Sequence, residues 1–156
     1  MPRFLRLLSA RARAPHPDRP QNPPTDDRPR RYTATVLLNV TTGPRGEALH
    51  LFGYQHGQPL ALVEVLGDGP LVLTVDTSTI DAAANSVFII GNGSFADSLG
   101  RSWPGGVRWV SIGDVLQITD PGGDVHYLAV ASDTLDPVDA PTNLVPLLGS
   151  TATSHP

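Results

Sequence analysis

The amino-acid sequence predicts an α+β domain: an antiparallel sheet of about five to six strands with one packed helix, flanked by disordered termini. Three observations support this prediction. Residues 32–41 alternate between apolar and polar side chains, residues 79–90 carry apolar side chains at helical spacing, and residues 119–124 are typical of a hairpin turn. The 156 residues leave room for one domain.

The first half of the domain is predicted to be a strand meander. The first strand has one apolar face, formed by Tyr32, Ala34, Val36, Leu38 and Val40. A turn follows at 43–46, and further strands are predicted at 48–55, 60–66 and 71–75, separated by Gly- and Pro-containing turns at 57–59 and 67–70. Short turns of this kind favour antiparallel neighbours.

The period then changes to that of a helix at about 79–90. Ser78 to Asp81 fits a capping box in which Asp81 stands in the place of Glu, and Gly91 is a candidate stop. The apolar positions that follow at helical spacing are Ile80, Ala83, Ala84, Val87, Phe88 and Ile90. This face is expected to pack on the sheet.

A polar loop at 92–106 leads into the most informative segment, residues 107–116. Gly113 is the third residue of the turn that begins at Ser111, where a type II turn needs positive φ, and glycine supplies it without a Cβ clash. Strands are predicted at 115–118 and 125–131, joined by the 119–124 turn.

The ends differ from this pattern. Six prolines lie between residues 15 and 29, and the residues after 132 are rich in Asp, Pro, Thr and Ser. We therefore predict an Arg/Pro-rich disordered tail at 1–31, one domain at 32–138 and a disordered tail at 139–156. Residues 1–14 could instead form a short basic amphipathic helix, with Phe4, Leu7 and Leu8 on one side, that docks on a membrane surface or a partner.

Charge divides sharply along the chain. Residues 1–31 carry eight Arg against three Asp, a net of +5, whereas residues 32–156 carry three Arg against twelve acids, a net of −9. An acidic body repels phosphate, so nucleic-acid binding is expected only weakly and only through the tail. The all-Arg basic set, with abundant Ala, Gly and Pro, is typical of a high-GC bacterial genome.

Other protein classes are excluded by what the sequence lacks. There is no Cys, which excludes disulfides, thiolate metal sites and a Cys nucleophile. No apolar run approaches the ~18–20 residues of a membrane span, so a cytoplasmic protein is expected.

The order of elements and the stretch from Arg108 to Leu116 (RWVSIGDVL) resemble those of uncharacterised small bacterial proteins with a motif like RSLSVGDVV. That group is similar to YodL-like domains of mobile-element proteins. Residues 87–92 (VFIIGN) stand where those proteins have a helix end of F-x-x-x-N type, and residues 49–54 (LHLFGY) match an aliphatic-His-aromatic strand. The likeness covers about 32–135, although Trp109 replaces a small Ser and the closing Gly-aromatic pair is missing. It implies a fold and an association with mobile elements, with no established catalytic residues.

The same segment carries the candidate site. The Asp114 carboxylate is either a ligand or catalytic group or an acceptor of turn hydrogen bonds, and Arg108 either binds an anion or pairs with an acid. A half-exposed Trp here would anchor a partner, since aromatic and Arg side chains are enriched at binding hot spots. The predicted binding residues are Trp103, Arg108, Trp109, Ser111, Gly113 and Asp114.

No cofactor and no metal site are predicted. His50, His56 and His126 lack the spacing of a zinc site, residues 91–94 lack the Lys of a phosphate loop, and the serines have no nucleophile motif. The sequence favours a small non-catalytic interaction protein that binds an unidentified protein partner through residues 103–114. Two alternatives stay open: an enzyme using Arg108, Asp114 and a His, and a nucleic-acid accessory protein acting through the tail.

Overall fold

The structure, a computed structural model, describes residues 26–146. Its central strand is β1 (Arg30–Asn39), whose alternating residues pack on the main core, as the sequence predicted. On one side β1 pairs antiparallel with β6 (Val115–Thr119), and on the other it pairs first with β5 (Leu73–Thr77) and then with β2 (Leu60–Leu62). The long strand β1 thus pairs with three neighbouring strands.

The sheet extends outward from this centre. β7 (Val125–Val130) pairs with β6 through the predicted turn, and β8 (Leu135–Val138) pairs with β7. On the opposite edge β9 (Leu144–Val145) runs parallel to β2, and β3 (Glu64–Val65) and β4 (Gly69–Pro70) form a separate small sheet. The α+β prediction is correct, but the parallel β9 means that the sheet is not purely antiparallel.

The helix α1 (Ile80–Gly91) lies one residue from its predicted bounds. Thr79, and not Ser78, is the N-cap residue: its hydroxyl accepts a hydrogen bond from the Ala82 N–H at 3.2 Å. The small and β-branched residues of the helix, among them Ala83, Ala84 and Val87, are fully buried against the sheet. A smaller core on the other sheet face consists of Leu37, Leu60, Val115 and Ala129.

The prediction of a strand at 48–55 is wrong. An isolated bridge between Thr42 and Ala48 closes the first turn, after which a short 3-10 helix forms at His50–Phe52. Gly53, with φ at +93°, ends it, and Phe52 is 83 % exposed. The backbone of His50, the first residue of this helix, packs directly against Gly113. The predicted strand at 60–66 is likewise interrupted, at Val63, between β2 and β3.

Two strands that the sequence analysis did not predict complete the sheet. β8 includes Pro137, and β9 lies within the segment assigned to the C-terminal tail. The boundaries at 32 and 138 stay predictions, as does the tail at 1–31, of which residues 1–25 lie outside the described residues. Among residues 26–146, no helix has the length and apolar character needed to cross a membrane.

Candidate functional site

The centre of the predicted site is the carboxylate of Asp114, which is completely buried at the start of β6. Its Oδ1 accepts hydrogen bonds from the Asn39 N–H at 2.8 Å and from Arg108 at 2.6 Å, and its Oδ2 accepts from the Ser111 N–H at 2.8 Å and from Arg108 at 2.7 Å. A carboxylate offers about four lone-pair sites, so the protein itself uses all of them.

Arg108 completes this arrangement from the loop. Besides its two-pronged contact with Asp114, the guanidinium donates to the carbonyl oxygens of Asn39 and Trp109, both at 3.0 Å, and to the Ser111 hydroxyl at 3.2 Å. Its side chain is 35 % exposed, whereas that of Asp114 is not exposed at all. A planar fork of five N–H donors suits this set of acceptors in a way that a Lys ammonium would not.

Gly113 has the predicted positive φ, at +87°, and the Asp114 N–H closes the turn on the Ser111 carbonyl at 3.1 Å. The close approach of another chain segment was not predictable. A Cβ at this position would overlap the carbonyl oxygen of His50 and lie 2.9 Å from its carbonyl carbon. Both reasons independently require glycine.

Asn39 is a residue that the sequence analysis missed. It is 1 % exposed at the end of β1, where its amide nitrogen donates to the Gly113 carbonyl at 3.1 Å and to Gln58 at 2.8 Å. Its side-chain oxygen accepts from the backbone and hydroxyl of Thr41. The sequence did carry a signal for this role. Asn39 is an amide among apolar residues at the end of a core strand, and a polar group buried there needs hydrogen-bond partners.

The two tryptophans have opposite environments. Trp103 is 9 % exposed and packs on the main core, and its indole N–H lies 3.3 Å from the Val107 carbonyl oxygen and 3.2 Å from that of Arg108. Trp109 is 64 % exposed. Of the six predicted binding residues, Trp109 is therefore the one whose side chain is mostly available to a partner.

Trp109 lies over the C-terminal end of α1. A Cβ at Gly93 would be 3.5 Å from its indole nitrogen, and the neighbouring Val110 N–H donates to the Gly91 carbonyl at 3.1 Å. Phe95, two residues after Gly93, is 70 % exposed and shares a shallow cavity with the 42 % exposed Ile89. We call Ile89, Gly93, Phe95 and Trp109 the Trp109 surface.

His50, His56 and His126 lie in different surroundings. Burial, together with the Arg108 cation, lowers the pKa of His50 below its ordinary value. His126 bonds Asp120 at 3.1 Å and lowers the pKa of that carboxyl, while His56 borders a separate cavity with Tyr54. Within residues 26–146, no group of three or more His, Asp or Glu side chains is placed to hold a metal ion.

The arrangement is thus a saturated polar cluster beside an exposed apolar surface. A general base needs a free lone pair within reach of a substrate proton, and Asp114 has none free. The cluster holds the loop that carries Trp109.

Comparisons with known proteins add no relative. No family model matches the chain, and neither a curated protein nor a solved structure is significantly similar to it. The resemblance to YodL-like domains stays a prediction.

Proposed function

We propose that this protein is a non-catalytic interaction domain that binds a protein partner through the Trp109 surface. The observation that carries the proposal is the 64 % exposure of Trp109, whose indole lies against Gly93, two residues before the exposed Phe95 and four after the exposed Ile89. Large aromatic side chains, and Trp above all, contribute disproportionately to protein binding when a partner covers them.

The surroundings of Trp109 support this role because they hold its backbone in place. Its carbonyl accepts a bond from Arg108, which Asp114 fixes in turn, and the next residue bonds to the end of α1. An anchor that is already ordered loses less conformational entropy when it binds. The buried cluster therefore contributes to binding indirectly, by preorganising the loop.

The cellular setting is proposed on the sequence alone. A cytoplasmic location follows from the lack of an apolar run in the sequence, and an association with mobile elements is what the YodL-like resemblance implies. Neither proposal is needed for the binding role of the Trp109 surface, which depends on exposure and geometry.

The test is affinity capture from a nuclease-treated extract of the source cells, with proteins quantified by mass spectrometry. We expect one protein to be captured by the wild type and lost with Trp109→Ala and with Phe95→Ala. Leu66→Ala is the matched control, because Leu66 is 87 % exposed in the turn before β4, outside the Trp109 surface. Each variant should keep the wild-type circular dichroism and lose no more than about 1 kcal/mol of stability.

Three results would contradict the proposal. Undiminished capture by both folded variants would remove the Trp109 surface as the contact, and loss of capture by Leu66→Ala would show that the effect is not specific to it. Turnover of a substrate by the wild type would replace the non-catalytic interpretation.

A further inference from the structure

A groove runs between α1 and the end of the β7–β8 hairpin, away from the Trp109 surface. Its volume is about 450 Å³, and its lining includes the apolar side chains of Phe88, Val130 and Leu135. Asp81, in the first turn of α1, and Asp133, in the β7–β8 turn, also line it, and both are exposed. We call this the α1–β8 groove. It suits a ligand that is both apolar and cationic.

The chain itself contains such a segment. Residues 1–25 hold five Arg against Asp18, a net of +4, whereas residues 26–146 hold six Arg against fourteen acids, a net of −8. Within the basic part, Phe4 to Leu8 (FLRLL) combines four large apolar residues with Arg6 and follows Arg3 directly. Opposite charges on the two parts favour their contact, and the apolar residues match the floor of the groove.

The path of the chain brings this segment within reach. Arg30, the first residue of β1, is paired with Thr77, only four residues before Asp81. Four residues of chain span at most about 14 Å. At about 3.1 Å per residue for a Pro-rich chain, the 22 residues that follow Leu8 up to and including Arg30 are long enough to bridge about 68 Å, more than the distance requires.

We propose that the α1–β8 groove is the docking site of residues 3–8 of the same chain. Phe4, Leu7 and Leu8 cover the apolar floor, and Arg3 and Arg6 face Asp81 and Asp133. Tethering replaces a bimolecular encounter with an intramolecular one, so a contact too weak to retain a free peptide can be occupied in the intact chain. The contact leaves the Trp109 surface open.

Because the chain has no Cys, a nitroxide label can be placed at one chosen position. We would label the full-length Ser9→Cys variant and measure paramagnetic relaxation of the backbone amides by NMR. The strongest enhancement is expected at Asn85 and Ser132, which line the groove. In the double variant Asp81→Asn/Asp133→Asn the relaxation enhancement should fall roughly two- to fivefold, since two exposed ion pairs are lost. A similar fall is expected in the double variant Phe4→Ser/Leu7→Ser.

Asp68→Asn is the control, because it removes an exposed carboxylate from the β3–β4 turn and should leave the enhancement unchanged. Amide spectra confirm that each variant is folded. Enhancement of equal size in the Asp81→Asn/Asp133→Asn variant, or a maximum elsewhere on the domain, would overturn the proposal. So would equal enhancement in a mixture of spin-labelled and isotope-labelled chains, because it would assign the groove to a second copy.

Discussion

Replacing Asp114 by Asn is the sharpest test of the buried cluster. The substitution keeps the shape of the side chain but turns one acceptor oxygen into an NH₂ donor. Whichever oxygen is replaced, its two partners are both N–H groups, one on the backbone and one on Arg108. The variant therefore loses two charge-assisted bonds, sets donors against donors and leaves Arg108 without its counterion.

The expected loss is about 3 kcal/mol. Breaking a buried ion pair by removing one partner costs about 3–5 kcal/mol. The lower end applies because the Arg108 side chain is 35 % exposed and water can solvate part of it. A domain of this size is stable by about 5–15 kcal/mol, so the variant should still fold, with a markedly lower unfolding midpoint.

Urea unfolding followed by circular dichroism measures this loss. Asp120→Asn is the matched control, since Asp120 accepts bonds from Gly122, Asp124 and His126, but at an exposed turn. Its loss of stability should be clearly smaller, because water replaces the missing partners. A loss in Asp114→Asn no larger than in Asp120→Asn would refute the view that the buried cluster holds the loop.

Two further predictions concern the neighbours of the cluster. Gly113→Ala should lower the free energy of unfolding by more than about 3 kcal/mol, because the added Cβ overlaps the His50 carbonyl and the residue also has positive φ. Gly123→Ala is the control: Gly123 has φ at +92° but open space around it, so the loss should be about 1 kcal/mol. Equal melting temperatures for the two variants would contradict this prediction. His50 has a lowered pKa, so between its folded value and 6.5 the folded chain binds fewer protons than the unfolded chain, and stability should fall as the pH drops below 6.5. His50→Gln should show a shallower loss in urea titrations across this pH range, and an unchanged slope would contradict the assignment.

Much of the fold was predictable because local patterns agree with it. The β1 alternation, the spacing of α1 and the 119–124 turn each need only neighbouring residues to be recognised. The predicted strand at 48–55 failed for the opposite reason. This segment forms a short 3-10 helix at His50–Phe52, and its backbone packs against Gly113, more than 50 residues away along the chain. The edge strand β9 could not be predicted either, because its two residues are too few to show an alternating pattern. It forms only where β2 is already in place to pair with it.

For the candidate site, the sequence by itself determined which residue types meet in the 103–114 segment and that Gly113 needs positive φ. The tertiary structure decided what each of them does. Asn39 arrives from β1 and, with Arg108, saturates the Asp114 carboxylate, and the core covers Trp103. Trp109 is left exposed in a loop that is anchored by Arg108 and by the end of α1. Exposure and hydrogen-bond saturation depend on what distant segments bring to a residue, and no local pattern encodes that.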